Sequence, residues 1–147
     1  RRCTCTEKQV ESYMRRISGP LLDRIDLHVE VPSVDYEAMR RKDTPESSAE
    51  VQKRVNAART VQQQRYAGTD VSCNAYMTPP MIGKYCELDE RCEKLMRGAF
   101  DRLGLTGRSH DRILRVARTI ADLDGSENIR PEHLSEAIQY RSSDILK

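Results

Sequence analysis

The chain has 147 residues, of which 33% are charged and 5% aromatic, and its formal net charge is +2. This length suits one domain, or one domain with a fragment of another, and the composition favours helices with solvated outer faces over a β-sandwich. With so small a net charge the chain as a whole is not a polycation. No apolar run approaches the roughly 20 residues of a membrane span. Without a signal-peptide core either, we expect a cytoplasmic protein. The chain opens on Arg1 in mid-pattern, which we interpret as the start of a piece of a longer protein.

The first part of the chain predicts a helix, a stop and a short strand. Residues 7–16 have helical character with Thr6 as N-cap, and Gly19-Pro20 follows as a helix stop. Three apolar residues then alternate with polar ones up to Pro32, which is the period-2 pattern of a strand: Leu27, Val29 and Val31.

The remainder predicts a helical bundle. After a polar connector at 36–44, the predicted helices are 45–66, a short one from Pro79-Pro80, 88–103, 107–123 and one from Pro131. Thr106 and Gly104 are placed as N-cap and C-terminal stop. Apolar residues recur at helical spacing and should face inward: Val51, Val55, Ala58, Val61, Leu95, Met96, Ala99, Phe100, Leu103, Ile113, Leu114, Ala117, Ile120, Ala121, Leu134, Ala137 and Ile138. The fold class is therefore mainly α, a helical bundle preceded by a strand remnant.

Five cysteines without a secretory signal argue against a disulfide framework. Cys3 and Cys5 form a C-x-C pair whose thiolates could face one metal ion, but a structural zinc takes four ligands and no second pair at suitable spacing completes the set. We interpret Cys73, Cys86 and Cys92 as small, reduced core or boundary residues.

Arg108 stands out in the helix 107–123 because it lies in the first turn, where the helix dipole disfavours a cation. A guanidinium beside free backbone N–H groups suits an anion such as a phosphate. Arg112 and Arg115 continue the same side of the helix, and we interpret them as a solvated basic face.

Arg24 lies among Leu21, Leu22 and Ile25, which predicts a guanidinium projecting from a fixed backbone. Two interpretations remain open. The arginine forms an ion pair with Asp23 or Asp26, or it is presented across a subunit boundary to a phosphoryl group.

Residues 36–66 carry seven Lys and Arg against four Asp and Glu, so any attraction to a polyanion should centre there. The candidate weak nucleic-acid contacts are Arg40, Arg41, Lys42, Lys53, Arg54 and Arg59. The sequence contains no G-x-x-x-x-G-K-[ST] loop, so this chain alone should not hydrolyse a nucleotide.

Three stretches together resemble the C-terminal part of the bacterial Mg-chelatase-like AAA+ ATPases: ISGPLLDRIDLHVEVP, GRSHDRILRVARTIADLDG and HLSEAIQYR. They are also similar to segments of magnesium chelatase ATPase subunits, MoxR-type ATPases and MCM helicases. The resemblance implies that residues 1–35 are the end of the AAA+ core and that 36–147 are the helical lid. It further implies ATP and Mg²⁺ as cofactors of the full-length protein, a hexameric ring as its oligomer, DNA as a partner and no membrane.

The resemblance also implies roles for single residues. Arg24 in LLDRIDL matches the arginine finger that reaches the ATP of a neighbouring subunit, and Arg108 matches the sensor 2 arginine. Thr106-Gly107 replaces the Ser-Pro that precedes this arginine in related proteins, so the cap chemistry differs. Cys3 and Cys5 match half of a four-cysteine zinc site whose other half lies upstream in family members.

Two hypotheses follow from these observations. The first is the lid and sensor segment of an ATP-driven DNA helicase or branch-migration motor in natural transformation. The second is a stand-alone helical nucleic-acid-binding or adaptor module, which the basic segment and the arginine stripe would favour. A phosphate-binding loop upstream in the parent protein would decide for the first.

Overall fold

The computed structural model describes residues 4–16, 19–22, 24–34, 36, 40 and 46–141. In chain order the elements are α1 (Glu7–Met14), α2 (Gly19–Leu22), α3 (Ser48–Arg65), a 3-10 turn (Asn74–Tyr76), α4 (Pro79–Tyr85), α5 (Glu90–Leu103), α6 (Gly107–Leu123) and α7 (Pro131–Gln139). The mainly helical fold predicted from the sequence is confirmed.

Helix α6 lies at the centre of the bundle. It packs against α7, α3, α4 and the 3-10 turn, while α5 packs against α7. The apolar stripe predicted for α6 forms the middle of the core, with Ile113, Ala117 and Ala121 fully buried. The same core takes in Met96 and Ala99 of α5 and Leu134, Ala137 and Ile138 of α7, as their helical spacing predicts.

Local capping fixes most helix ends. Thr106 Oγ1 accepts a hydrogen bond from the Ser109 N–H at the start of α6, and Asp89 does the same for Cys92 in α5. Helix α5 ends at Gly104, whose φ of 59° lies in the left-handed region that favours glycine. Helix α3 begins at Ser48, three residues after the predicted start, because Ser47 and Glu50 form a capping box.

The short strand predicted at Leu27, Val29 and Val31 is not formed: residues 24–34, all of which the structure describes, contain no strand. A strand needs a partner for its backbone N–H and C=O groups, and no neighbouring strand is present among the described residues. The alternating pattern therefore has no sheet to face, and Leu27, Val29 and Val31 are 48%, 61% and 83% exposed.

The stripe predicted for α3 is only partly buried. Ala58 and Gln62 are buried, whereas Val51, Val55 and Val61 are 39–41% exposed. The buried residues of α3 and its ion pair with Asp122 of α6, made by Arg65, all lie in its C-terminal half, whereas Val51 and Val55 lie in the first half. Val61 lies in the C-terminal half and is nevertheless 40% exposed.

Candidate functional site

Arg24 lies on a short segment that we call the arm, residues 19–22 and 24–28. The arm begins with α2 and continues as a turn in which the N–H groups of Arg24 and Ile25 donate to the carbonyls of Leu21 and Leu22. The Arg24 side chain is exposed, and its Nη1 donates to the Pro20 carbonyl at 3.3 Å. The guanidinium is thus exposed, but Leu21 and Ile25, the apolar neighbours expected to fix its backbone, are themselves 49% and 41% exposed.

Asp26 does not pair with Arg24 but with Arg112 on α6. Nη1 of Arg112 donates both to Asp26 Oδ1 and, at 2.7 Å, to the carbonyl oxygen of Arg24. The interpretation of Arg24 as an ion-pair partner of Asp26 is thus not supported, and Asp23 lies outside the described residues.

The solvated basic face predicted for Arg112 and Arg115 on α6 is wrong. The Arg112 side chain is only 20% exposed because it lies under the arm. Arg115 is half-buried, and its Nη2 donates to the Met77 carbonyl at 2.8 Å. Both side chains reach backbone carbonyls of distant segments, which helical spacing alone cannot indicate.

Arg141, just after α7, is the second side chain that holds the arm. Its Nη1 donates to the carbonyls of Ile25 and Leu22, and its Nη2 donates to Ser109 Oγ at 3.0 Å. The N–H of His28 adds a backbone hydrogen bond of 2.8 Å to the Tyr140 carbonyl. The arm therefore lies across the first half of α6 and the end of α7.

Arg108 lies at the same end of the molecule, in the first turn of α6. Its side chain is exposed, and that turn contains no acidic residue to offset the positive end of the helix dipole. The next residue, Ser109, is buried and receives the bond from Arg141. Two exposed arginines, Arg24 and Arg108, are thus carried by segments that Arg112 and Arg141 join.

A buried polar cluster between α3, α6 and the 3-10 turn was missed by the sequence analysis. Asp122 accepts hydrogen bonds from Arg65 at 2.5 and 2.7 Å, from Asn74 at 2.8 Å and from Arg118 at 3.1 Å. The spacing of Arg118 and Asp122, four residues apart beside the apolar stripe of α6, was the available signal.

The predicted nucleic-acid contacts are only partly described. Arg41 and Lys42 lie outside the described residues. Arg40 is exposed, with its guanidinium carbon 5.8 Å from the centre of the Tyr36 ring. On α3, Lys53, Arg54 and Arg59 are all exposed, and Arg54 forms an ion pair with Glu46.

The cysteines divide as their positions suggest, as far as they are described. Burial raises the pKa of the Cys86 thiol to about 11 and that of the Cys92 thiol to about 12, so both stay protonated in the core. Cys73 is half-buried and Cys5 exposed. Cys3 lies outside the described residues, and within those that are described no three His, Cys, Asp or Glu side chains gather as a metal site. The pairing of Cys3 with Cys5 on a metal stays a prediction.

None of the helices in the described ranges is long and apolar enough to cross a membrane.

Comparison with known families gives two adjacent matches. The family described as magnesium chelatase, subunit ChlI, matches residues 1–39, and the family described as magnesium chelatase, subunit ChlI C-terminal, matches residues 45–141. The second match covers the helical bundle and ends at Arg141, one of the two arginines that hold the arm.

Curated relatives agree with these matches. The chain is 41% identical over 143 residues to the uncharacterized protein YifB of Escherichia coli, which covers 97% of the chain and 28% of YifB. It is 40% identical over 136 residues to the competence protein ComM of Haemophilus influenzae, covering 92% of the chain and 26% of ComM. It is 32% identical over 141 residues to the uncharacterized protein Rv2897c of Mycobacterium tuberculosis, covering 96% and 28%. The chain thus spans little more than a quarter of the relatives' length. The C-terminal family alone matches about two thirds of the sequence, so the chain belongs to the magnesium chelatase ChlI family.

Proposed function

We propose that the chain is the lid and sensor segment of an ATP-driven, ring-forming motor that acts on DNA during natural transformation. The observation that carries the proposal is the placement of two exposed arginines, Arg24 and Arg108, at one end of the bundle. The family membership and the similarity to a competence protein supply the context. The assignment of residues 1–35 to the ATPase core and 36–147 to the lid belongs to the same proposal.

Arg24 is proposed as the arginine finger that acts on the ATP of a neighbouring subunit. The nearby carboxylate of Asp26 forms its ion pair with Arg112, so Asp26 does not neutralise the Arg24 guanidinium. A positioned guanidinium beside a transferring phosphoryl group is worth about 10³ to 10⁵ in rate.

Arg108 is proposed as the sensor 2 residue. The positive end of α6, without an acid in its first turn, adds to the attraction that this guanidinium offers a phosphate. Thr106 provides the N-cap here, so replacing the Ser-Pro of related proteins leaves the start of the helix intact.

ATP and Mg²⁺ are proposed as cofactors of the whole protein rather than of this chain by itself. The sequence contains no phosphate-cradling loop of the G-x-x-x-x-G-K-[ST] type. A zinc site built from Cys3, Cys5 and an upstream cysteine pair is a further proposal. A finger that acts between subunits requires a closed ring, for which we propose a hexamer.

DNA is proposed as the partner of the ring. The exposed cations of α3 support a phosphate-directed, sequence-independent contact. The alternative, a nucleic-acid-binding or adaptor module without ATPase coupling, would rest on the same cations and predicts no role for Arg24 or Arg108.

The test is steady-state ATP hydrolysis by the full-length protein that carries this chain. Arg24→Ala and Arg108→Ala should each lower kcat by at least about 10³-fold, because each removes charge stabilisation of the γ-phosphate. Arg97→Ala, which removes an exposed arginine on α5, should leave turnover unchanged.

Mixing two inactive variants tests action between subunits. If Arg24 acts in trans, Arg24→Ala protein mixed with a variant disabled in the upstream phosphate-binding loop should regain hydrolysis, because some sites of the mixed ring then combine an intact loop with an intact finger from the neighbour. Mixtures that stay inactive although they form mixed rings would contradict a finger acting across the subunit boundary. Full turnover by both single variants would contradict the proposed function as a whole.

A further inference from the structure

The arm is held mainly by polar contacts to its backbone. Its apolar side chains bury little surface, since Leu21, Ile25 and Leu27 are 49%, 41% and 48% exposed. Hydrophobic burial scales with the area removed from water, so half-exposed side chains fix the arm only weakly. The side chains that reach its carbonyls are therefore the elements that decide its position.

Arg112 and Arg141 bind backbone carbonyls of the arm before, at and after Arg24. Arg112 binds the carbonyl of Arg24 itself, and Arg141 binds the carbonyls of Leu22 and Ile25. A guanidinium carries several donors in a fixed planar fork, so it holds two acceptors in one geometry better than an ammonium does. Asp26, which belongs to the arm, adds an ion pair with Arg112.

The same contacts join the arm to the helix that carries Arg108. Arg112 lies one turn after Arg108 on α6, and Arg141 also binds Ser109, the residue next to Arg108. Helices behave as rigid units over so short a distance, so the arm and the first turn of α6 should move together.

We propose that Arg112, with its partner Asp26, and Arg141 are positioning residues that hold Arg24 in its working orientation and couple it to Arg108. This proposal rests on the proposed function, because it assigns to these residues an effect on Arg24. A displacement of about 1 Å at a catalytic group can cost about 10²-fold in rate, which is the size of effect that loss of one such contact should cause.

The decisive experiment compares ATP hydrolysis by variants of the full-length protein. Arg112→Gln should lower kcat about 10- to 100-fold and change the KM for ATP by less than about 3-fold, because the finger acts in the transition state. Asp26→Asn should have a smaller effect, since Arg112 keeps its bond to the Arg24 carbonyl. Arg115→Gln is the matched control. Arg115 lies on the same helix and also binds a backbone carbonyl, but this carbonyl belongs to Met77, outside the arm. It should keep kcat within about 2-fold.

A double variant distinguishes positioning from general damage to α6. In an Arg24→Ala background, Arg112→Gln should lower kcat no further, because its effect passes through Arg24. An equal further fall would overturn the proposal, as would unchanged kcat for Arg112→Gln when Arg24→Ala is inactive. If Arg24→Ala itself keeps full turnover, the proposed function fails and this proposal fails with it. That result differs from an inactive Arg24→Ala with an active Arg112→Gln, which would overturn the positioning role alone.

Amide hydrogen exchange gives a readout that does not depend on hydrolysis. In the wild type the amides of Arg24 and Ile25 are hydrogen-bonded within the arm. Arg112→Gln should raise their exchange rates at least several-fold while the core amides of α6 and α7 stay protected. Unchanged exchange in the arm, or exchange raised equally throughout the bundle, would overturn the positioning role.

Discussion

Asp122 has no exposed side-chain surface and is bonded by two arginines, Arg65 and Arg118. Asn74 donates a further hydrogen bond to it, and Arg118 also binds the carbonyls of Ser126 and Glu127 in the loop after α6. A buried ion pair of this kind offsets the cost of removing charges from water only when its hydrogen bonds are made. Asp122 therefore joins α3, α6 and the 3-10 turn directly, and the loop after α6 through Arg118.

Asp122→Asn should destabilise the chain by about 3–5 kcal/mol, because it leaves two arginines without their buried counter-charge. Urea unfolding at neutral pH measures the change. Glu90→Gln is the control, since the Glu90–Lys94 pair is exposed and its loss should leave the unfolding midpoint unchanged. Equal midpoints for wild type and Asp122→Asn would contradict a supporting role for the cluster.

The free energy of unfolding at acidic pH should also depend on Asp122. Burial raises the pKa of Asp122, but hydrogen bonds from Arg65 and Asn74 and the charges of Arg65 and Arg118 outweigh it, so the pKa lies below its ordinary value of 3.8. A lowered folded-state pKa contributes stability that is present above the unfolded value and is lost as pH falls through the folded one. From about pH 5 to pH 3 the wild type should therefore lose more stability than Asp122→Asn does.

At the scale of single helices, α5 has one glycine in its interior and another at its C-cap, in opposite conformational situations. Gly98 lies inside the helix, and an added Cβ there would meet no atom within 4 Å. Gly104 ends the helix with φ at 59°, a conformation in which a Cβ is strained. Identical substitutions at these positions should change stability in opposite directions.

Gly98→Ala should stabilise the chain by about 1 kcal/mol, because alanine loses less backbone entropy on entering a helix. Gly104→Ala should destabilise it by about 1 kcal/mol, because a side chain disfavours the left-handed region. Thermal unfolding of the two variants provides the measurement, and each is the control for the other. Shifts of the same sign would contradict the assignment of the helix end.

At the scale of the whole molecule, the positive charge is local rather than general. The net charge is +2, and the exposed cations of α3 lie on a helix of which only Ala58 and Gln62 are buried. Lys53 and Arg59 are six residues apart and lie on different sides of the helix, and Arg54 is paired with Glu46. Few of these cations can therefore meet phosphates together.

DNA binding by the chain should accordingly be weak and salt-dependent. With about two or three phosphate contacts, a plot of log affinity against log salt should have a slope near −2 to −3. Lys53→Gln with Arg59→Gln should reduce both affinity and slope, whereas Arg91→Gln with Arg97→Gln, two exposed arginines of α5, should change neither. Fluorescence anisotropy over a salt series measures this. Tight, salt-independent, sequence-specific binding would instead favour the stand-alone module.

The sequence by itself determined the elements whose causes are local. The apolar spacing of α5, α6 and α7 predicted their buried faces, and Thr106, Gly104 and Pro131 marked helix ends correctly. Periodicity and capping depend on residues within one or two turns, so they can be read from the chain. The proposed roles of Arg24 as arginine finger and Arg108 as sensor 2 came from family resemblance.

Only the tertiary structure decided what the remaining charged residues do. Arg112 meets Asp26 across 86 residues of sequence, Arg141 meets Ile25 across 116, and Arg65 meets Asp122 across 57. Helical spacing places a side chain on one side of its own helix but does not say which other segment lies against that side. For the same reason the valines of α3 and the alternating residues 27–31 could not be assigned from their pattern. Burial requires a second surface, and within the described residues only Ala58 and Gln62 of α3 are buried and no strand lies beside the arm.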